Sequence, residues 1–508
     1  MTKRQHTFIA ALLCCFCLPA AAQDVGYGTI EGQTVVHSCD LRELLHASKS
    51  SSAPSKVRQR IETDETVVNY RDRVTNMPAF LHDFCDQYVK AAQTVLDGGT
   101  SWLSDPTTKN DEHIGNSTGL DFYLLKESTG TFDFTFPPNA DNSIISQAAN
   151  DIILAYAHQE LDSLDSFMRY TFISVKFDHP EVFWIGNGFK YDCDHSGKIT
   201  SFQRSEGTGT VSYTIRLRFI LRDNNSDPRF DIRNNGVKTY DFRNTTNIAN
   251  GVKQFKSSVQ TILDQCQSKS PYKRLLKTYD WLTTHNRYNR YFEAGYSREQ
   301  IGGTPWSPIS ALVGNNDQSA PVCEGYSRAL KVICDTLGIP CILMSGFAVT
   351  PSGSLIDHMW NYVQMEDGNW YALDPTWDDP IVDSKDYKVV SGSEGHKYFL
   401  VGRDDGPDNE LSFIETHPEE WENWGKDYNN VEGSIGWELL EGPKLSPTSY
   451  VLPDPCDPNG DGVTDMEEIT MMVDKIANDD DDIKFDVDGN EVLTIGDLVR
   501  MINRYISK

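Results

Sequence analysis

Positive charge is scarce in this chain. Its 508 residues hold 46 Lys and Arg against 74 Asp and Glu, a formal net charge of −28. A surface of that sign repels a phosphate backbone, so nucleic acid is excluded as the expected partner. Long apolar runs are also missing. The stretch Phe8–Leu18 is too short to cross a bilayer, and no later segment is expected to span one. Low-complexity sequence is confined to the acidic run Asp479–Asp482. With 39% hydrophobic and 24% charged residues the composition is that of a globular protein, and the length allows two or three domains, each with its own core.

The first residues read as an export signal over 1–22. Lys3 and Arg4 precede the apolar run, and Pro19-Ala20-Ala21-Ala22 offers a small-residue cleavage site before Gln23. A lipid-anchored form is the alternative, because Cys14, Cys15 and Cys17 lie there. Leu13 is bulky for the residue before such an anchor, so a soluble secreted protein is expected, extracellular or in a cell-surface complex. Cleavage would leave Cys39, Cys85, Cys193, Cys266, Cys323, Cys334, Cys341 and Cys456. An exported chain permits disulfides and an even count permits complete pairing, which weighs mildly against any free thiol; spacing leaves the connectivity open.

Periodicity and turn residues divide the rest. Residues 23–115 read as helical and polar, with a Ser-rich stretch at Ser48–Ser52 and a turn at Asp97-Gly98-Gly99. Residues 116–265 read as an α+β domain. Phe132–Phe136 and Tyr213–Leu221 alternate as half-buried strands do, and Asp151–Phe167 has helical spacing. A helix around Tyr272–Asn286 opens the segment 266–424, which carries the chemistry. Residues 425–455, rich in Gly, Pro, Asn and Ser, read as a linker. Residues 456–508 form a small all-α module with an internal duplication, holding 14 Asp and Glu against 5 Lys and Arg.

Tyr326, Leu330, Ile333 and Leu337 fall at helical spacing, and Gly338 and Pro340 supply the stop. This sets Cys323 in the first turn of an amphipathic helix. The free amides and positive dipole end there favour a thiolate, and the Cys323 amide is a candidate oxyanion donor. His358–Met365 and Trp370–Asp374 flank a hairpin turn. A two-residue Asp367-Gly368 loop would face Asp374 away from His358. A three-residue loop Glu366-Asp367-Gly368, with Gly368 left-handed, pairs Met365 with Asn369, sets Trp360 opposite Asp374, and makes His358 a diagonal neighbour on the same face. The second register is expected. A carboxylate there holds the imidazole while its other nitrogen deprotonates the thiol. Singly, a core or disulfide cysteine, a satisfied strand histidine and a turn aspartate would explain these residues; together, in order on helix, strand and strand, they read as a catalytic triad needing no cofactor.

The strings Val322–Ser327, His358–Asn361 and Trp370–Asp379 resemble bacterial transglutaminase-like domains over about 270–415. Tyr398–Val401 resembles the strand that follows the triad there, and His179–Phe183 a segment that precedes the domain in relatives. The resemblance implies an α+β, papain-like core with Cys323 as nucleophile, His358 as base and Asp374 as orienter. Attack on a peptide or isopeptide amide would give an acyl-thioester. Water then completes hydrolysis and a second amine gives cross-linking; peptidase or amidase action on a protein or peptide substrate is favoured. Trp306 and Gln318 lie upstream, and neither is matched to a second oxyanion donor.

In the last module, Asp457, Asn459, Asp461 and Asp465 offer side-chain oxygens at positions 1, 3, 5 and 9 of a calcium loop. Val463 offers a carbonyl at 7, Glu468 stands at 12 and Gly462 at 6. A second copy holds Asp486, Asp488, Asn490, Val492, Thr494 and Asp497 at the corresponding ligand positions, but Glu491 replaces the glycine. Apolar stripes follow: Met466, Ile469, Val473 and Ile476, then Ile495, Leu498, Ile502 and Tyr505. Two such units resemble a type I dockerin with an EF-hand calcium site in each loop, implying structural Ca2+ and docking onto a cohesin-type scaffold. Glu468 in place of Asp, with Met466-Glu467 and Ile495-Gly496 in place of hydroxyl residues, depart from that pattern. Two other readings stand beside the enzyme: a non-catalytic extracellular binding module, and a carbohydrate or cell-wall binder using Phe183, Trp184 and Tyr191.

Overall fold

The computed structural model describes residues 33–40, 69–73, 77–98, 122–136, 139–183, 188–205, 208–223, 245–289, 305–313, 320–349, 353–379, 395–406, 411–419 and 442–507. They fall into two compact units, one drawn from within 1–256, 288–329 and 419–441, the other from 257–287, 330–418 and 442–508. The expected export signal, Ser48–Ser52, Gln318 and residues 425–441 lie outside the described residues.

In the first unit, β1 (Gln33–Asp40), β2 (Phe122–Thr135), β3 (Gly188–Ser205) and β4 (Thr208–Asp223) form an antiparallel sheet in the order β1-β3-β4-β2. The alternation anticipated in β4 is real: Val211, Ile215 and Leu217 are buried on one face. Residues 23–115 were expected to be helical, and here the structure differs. Gln33–Asp40 pairs with β3, Gln33 opposite His195 through Asp40 opposite Gly188. Thr34, Val35 and Val36 are β-branched, which suits a strand better than a helix. The helices of that stretch are α1 (Tyr70–Arg73) and α2 (Ala79–Leu96). The long α3 (Asn142–Asp178) starts where Asp141 accepts from the Ser143 amide at 2.7 Å, and buries Ile145, Ala149, Ile153 and Ala157 at a four-residue spacing.

After α4 (Thr245–Gln265), α5 (Pro271–His285) is capped by Ser270 Oγ, which accepts from Lys273 N, with Pro271 in the first turn. A short α6 (Pro308–Leu312) precedes α7 (Cys323–Leu337). The helix α7 ends as its sequence anticipates: Gly338 has φ 70°, and Ile339 N donates to Cys334 O at 2.9 Å. In the second unit β5 (Cys341–Val349), β6 (Leu355–Gln364), β7 (Trp370–Leu373) and β8 (Phe399–Val401) form an antiparallel sheet in chain order. Leu343, Met344, Trp360, Tyr362, Val363, Ala372 and Leu373 fill its core. A one-turn α8 (Phe413–Thr416) follows.

The compact units and the expected segments differ in two places. The units cut across the expected domain limits, since residues 266–424 contribute to both and 456–508 belong with 257–287 and 330–418. Contacts between segments distant in sequence, not linkers, define each unit. Residues 442–455, expected as the end of a linker, are packed. Leu445 is buried and bridges Trp370, Ser446 O accepts from Arg403 N, and Tyr450 stacks on Tyr272 at 5.8 Å. Its Leu and Tyr outweigh the Gly and Pro that read as linker.

The C-terminal residues form two loop–helix units, α9 (Met466–Ala477) and α10 (Ile495–Ile506), around Cys456, Ile469, Met472, Phe485 and Met501. Of the anticipated stripes, Ile469 is buried and Ile476, Leu498 and Ile502 pack against this core. Met472 and Met501 are buried, while Met466, Val473, Ile495 and Tyr505 face out.

Candidate active site

The β6–β7 hairpin decides the site. Gly368 N donates to Met365 O at 2.9 Å, Met365 N donates to Asn369 O at 3.1 Å, and Gly368 has φ 79°. This is the three-residue loop, and the ladder runs from Gln364 opposite Trp370 to Asn361 opposite Leu373. Continued one step beyond the ladder, that register puts Asp374 on the face of His358. The imidazole reaches it: His358 Nε2 donates to Asp374 Oδ2 at 2.7 Å. A carboxylate accepts only, so Nε2 carries the proton and Nδ1 is the nitrogen whose protonation changes.

Both groups are buried, Asp374 completely. Asp374 Oδ1 accepts from the amides of Thr376 at 2.9 Å and Trp377 at 3.3 Å, an Asx-type turn made by the Asp374-Pro-Thr segment. Asp374 Oδ2 accepts a second imidazole, His417 Nε2, at 3.1 Å. Burial pushes the Asp374 carboxyl up, but the charge and hydrogen bond of His358, with those of His417, outweigh it and hold the group below the usual carboxylate range. His417 is pushed down by burial, which disfavours its charged form, against the pull of Asp374. Its ring lies flat on Phe413 at 4.1 Å, and Trp377 is 4.5 Å away. His358, Asp374 and His417 have metal-ligand chemistry, but their atoms are joined to one another at hydrogen-bond distances.

A third carboxylate behaves differently. Asp378 accepts from Tyr279 Oη at 2.6 Å and from the amides of Lys397 and Tyr398. Burial, aided by the charge of Asp374, still pushes it up to about 7. It pins α5 to the segment before β8.

Cys323 is the first residue of α7, a half-buried free thiol in the first unit. Its turn is held from several sides. Asn289, fully buried, donates from Nδ2 to Ala320 O at 2.9 Å and from its amide to Pro321 O at 3.0 Å. Val322 N donates to Pro305 O at 3.1 Å. Gly325 is required here, because a Cβ at that position would stand 2.3 Å from Pro305 O and 2.7 Å from Ser310 Oγ. Glu324 makes buried ion pairs with Lys176 at 3.0 Å and Arg328 at 3.5 Å, and Trp306 O accepts from Arg328 at 3.3 Å. The segment His179–Phe183 also reaches this region, since Phe183 O accepts from Ser307 Oγ at 3.3 Å. Phe183 is buried, so it serves the core and not a sugar platform; the side chains of Trp184 and Tyr191 lie outside the described residues.

Sequence reasoning missed Asn289, His417 and the role of Gly325. Gly325 had a signal, a glycine inside the first turn of a helix. Asn289 and His417 had none, because their partners are distant in sequence.

The C-terminal loops repeat one hydrogen-bond pattern. Asp457 Oδ1 accepts from Gly460 N and Asp461 N, and Asp457 Oδ2 from Gly462 N. Asp486 does the same with Gly489, Asn490 and Glu491. Asn459 and Asp461 cap their loop as Asp488 and Asn490 cap theirs. Asp465 and Thr494 begin the two helices in capping boxes with Glu468 and Asp497. Carboxylate oxygens of Asp457, Asp461 and Glu468 converge within 4.8 Å, as do those of Asp486, Asp488 and Asp497. Glu468 is fully buried and its Oε1 has no hydrogen-bond partner. An orphaned buried anion beside two more carboxylates fits a divalent cation. The second loop differs: four donors satisfy Asp497, and Lys273 Nζ stands 3.8 Å from Asp486 Oδ2. Glu491, in the glycine position, adopts φ 67°, and its carboxylate accepts from Ser268 Oγ at 2.6 Å and Lys269 N at 3.0 Å.

A comparison with curated proteins finds no match. A solved crystal structure of a TGase is similar at 15% identity over 35% of this chain, with a TM-score of 0.21, a level that carries no argument. This chain spans 45% of that one, less than half its length. A family model, the transglutaminase-like superfamily, matches residues 260–375, from within α4 to the residue after Asp374. Over those residues the chain is similar to transglutaminase-like domains.

Proposed function

We propose that the chain is a thiol acyl-transfer enzyme in which Cys323 attacks a peptide or isopeptide amide, His358 is the base and Asp374 its orienter. The observation that carries this reading is the buried 2.7 Å bond between His358 Nε2 and Asp374 Oδ2. With Nε2 on the carboxylate, Nδ1 is the nitrogen assigned to proton transfer from the thiol. Asp374, held ionised by its neighbours, stabilises the imidazolium that forms when the Cys323 proton moves. Sulfur then adds to the carbonyl carbon, the oxyanion is met by the Cys323 amide at the helix start, and the protonated imidazole returns its proton to the leaving amine. Water completes the cycle as a peptidase or amidase; an amine acceptor in its place would make a cross-linker.

The proposal includes a secreted protein with a calcium-stabilised, dockerin-like C-terminal module. Asp457, Asn459, Asp461, Asp465, Glu468 and the Val463 carbonyl would hold one Ca2+, which neutralises acids that otherwise repel. Asp486, Asp488, Asn490, Thr494, Asp497 and the Val492 carbonyl would hold a second. Support for a docking role comes from a duplicated apolar surface: Val463 and Met466 in one repeat, Val492 and Ile495 in the other, are all exposed. A cohesin-type scaffold protein is the partner that surface would meet.

The catalytic reading is tested by the rate of iodoacetamide labelling of Cys323, followed on its peptide from pH 5 to 9, in the wild type and in His358→Ala. Labelling that stays fast well below the ordinary thiol pKa of ~8.5, and slows in the variant, is the expected result. A rate that tracks an ordinary thiol in both proteins would refute the triad and favour a binding module.

A further inference from the structure

We propose that His417 is a positioning residue: it fills the second hydrogen-bond site on Asp374 Oδ2 and so fixes the carboxylate that orients His358. The inference rests on the triad reading above. Asp374 accepts four bonds, two amides on Oδ1 and two imidazoles on Oδ2. Three come from the hairpin and the turn that follows it. The fourth comes from α8 and its C-cap, a separate element whose location is independently fixed. Ser412 and Glu415 form a capping box, Phe413 is fully buried, and Phe347 N donates to Pro418 O at 3.0 Å. His417 is thus built into the fold and aimed at the carboxylate.

Geometry also fixes one proton on the ring. Nε2 must carry a proton to bond a carboxylate, and Nδ1 lies 2.9 Å from Thr416 Oγ1. Among the described residues, the titratable groups at the ring are Asp374, His358 and Tyr398, the last two with ring centroids 5.6 Å from it. Burial disfavours a charge on the ring, and a neutral donor steadies Asp374 without adding a positive charge that would compete with an imidazolium on His358. Asp378 offers an internal comparison. It is a buried carboxylate with three neutral donors and no imidazole, and burial pushes it up to about 7. Without its second imidazole, Asp374 would move in the same direction. A less firmly held orienter stabilises the His358 imidazolium less, so the thiolate paired with it is lost at a higher pH.

The test uses the full chain and the Cys323 peptide-labelling rate from pH 5 to 9, in wild type, His417→Phe and His417→Gln. Phenylalanine keeps the ring on Phe413 and removes the donor; glutamine keeps a donor. Loss of one bond to a charged acceptor predicts an acid limb moved up by about one pH unit in His417→Phe, with the rate at pH 9 unchanged. His417→Gln restores most of the wild-type limb. A wild-type limb in His417→Phe, or equal shifts in both variants, overturns the positioning role. If His417→Phe fails to fold, the glutamine variant still decides, since a limb displaced by a full unit despite its donor overturns the proposal. Failure of the triad itself is recognised separately: wild-type Cys323 would then label as an ordinary thiol and His358→Ala would change nothing.

Discussion

Gly325→Ala is a substitution for which helix propensity and packing give opposite signs. Alanine is favoured over glycine inside a helix by about 1 kcal/mol. Here, however, the new Cβ would lie 2.3 Å from Pro305 O, closer than such atoms approach. The carbonyl cannot simply retreat. It accepts from Val322 N at 3.1 Å and from Ser310 Oγ at 3.2 Å, so moving it stretches both bonds. Overpacking of this kind costs about 1–3 kcal/mol, and a weakened buried hydrogen bond about 1 kcal/mol more. Subtracting the propensity gain leaves a net destabilisation of about 1–3 kcal/mol. The first turn of α7, pushed off Pro305, would also displace Cys323. Urea unfolding should show a lower midpoint with unchanged slope, and Cys323 labelling at pH 6 should slow. A variant at least as stable as wild type, with unaltered labelling, would refute the claim that close approach is why glycine stands there.

Two further outcomes follow from buried carboxylates. Calcium should raise the thermal midpoint, by about 2.7 kcal/mol of stability at a hundredfold excess over Kd, and Glu468→Gln should lose most of that gain while being no less stable in EDTA, because the orphaned charge is gone; calorimetry with and without Ca2+ checks both. Asp378 is protonated in the folded state up to about 7 and ionises near 3.8 when unfolded. The folded state therefore binds more protons in that window, so stability falls as pH rises from about 4 to about 7, by up to ~1.4 kcal/mol per unit. Asp378→Asn should flatten that slope, and an unchanged slope in pH-dependent urea titrations would count against the assignment.

The parts of the fold legible in the sequence are those written in local patterns. The hairpin register followed from Glu366-Asp367-Gly368, since only the three-residue turn brings Asp374 to the face of His358. The end of α7 was readable from Gly338 and Pro340. The paired loops at the C-terminus were readable because their acids recur at the same spacing. What escaped notice depends on distance in sequence. His417 meets Asp374 across 43 positions, and Asn289 holds Ala320 across 31. Gln33–Asp40 is a strand because β3 is there to pair with it. Residues 442–455 looked like a linker because composition does not say where Leu445 and Tyr450 dock.

Glu491 bears on whether the last module is portable. A residue other than glycine at φ 67° costs about 1 kcal/mol or more. In this protein its carboxylate meets Ser268 and Lys269, and Lys273 Nζ donates to Gly489 O at 3.1 Å. The loop is therefore keyed to its host. Transplanted to another protein, residues 456–508 would keep the strain of Glu491 and leave behind the contacts that offset it. An appendage that looks interchangeable by its spacing has become, at one position, specific to the chain that carries it.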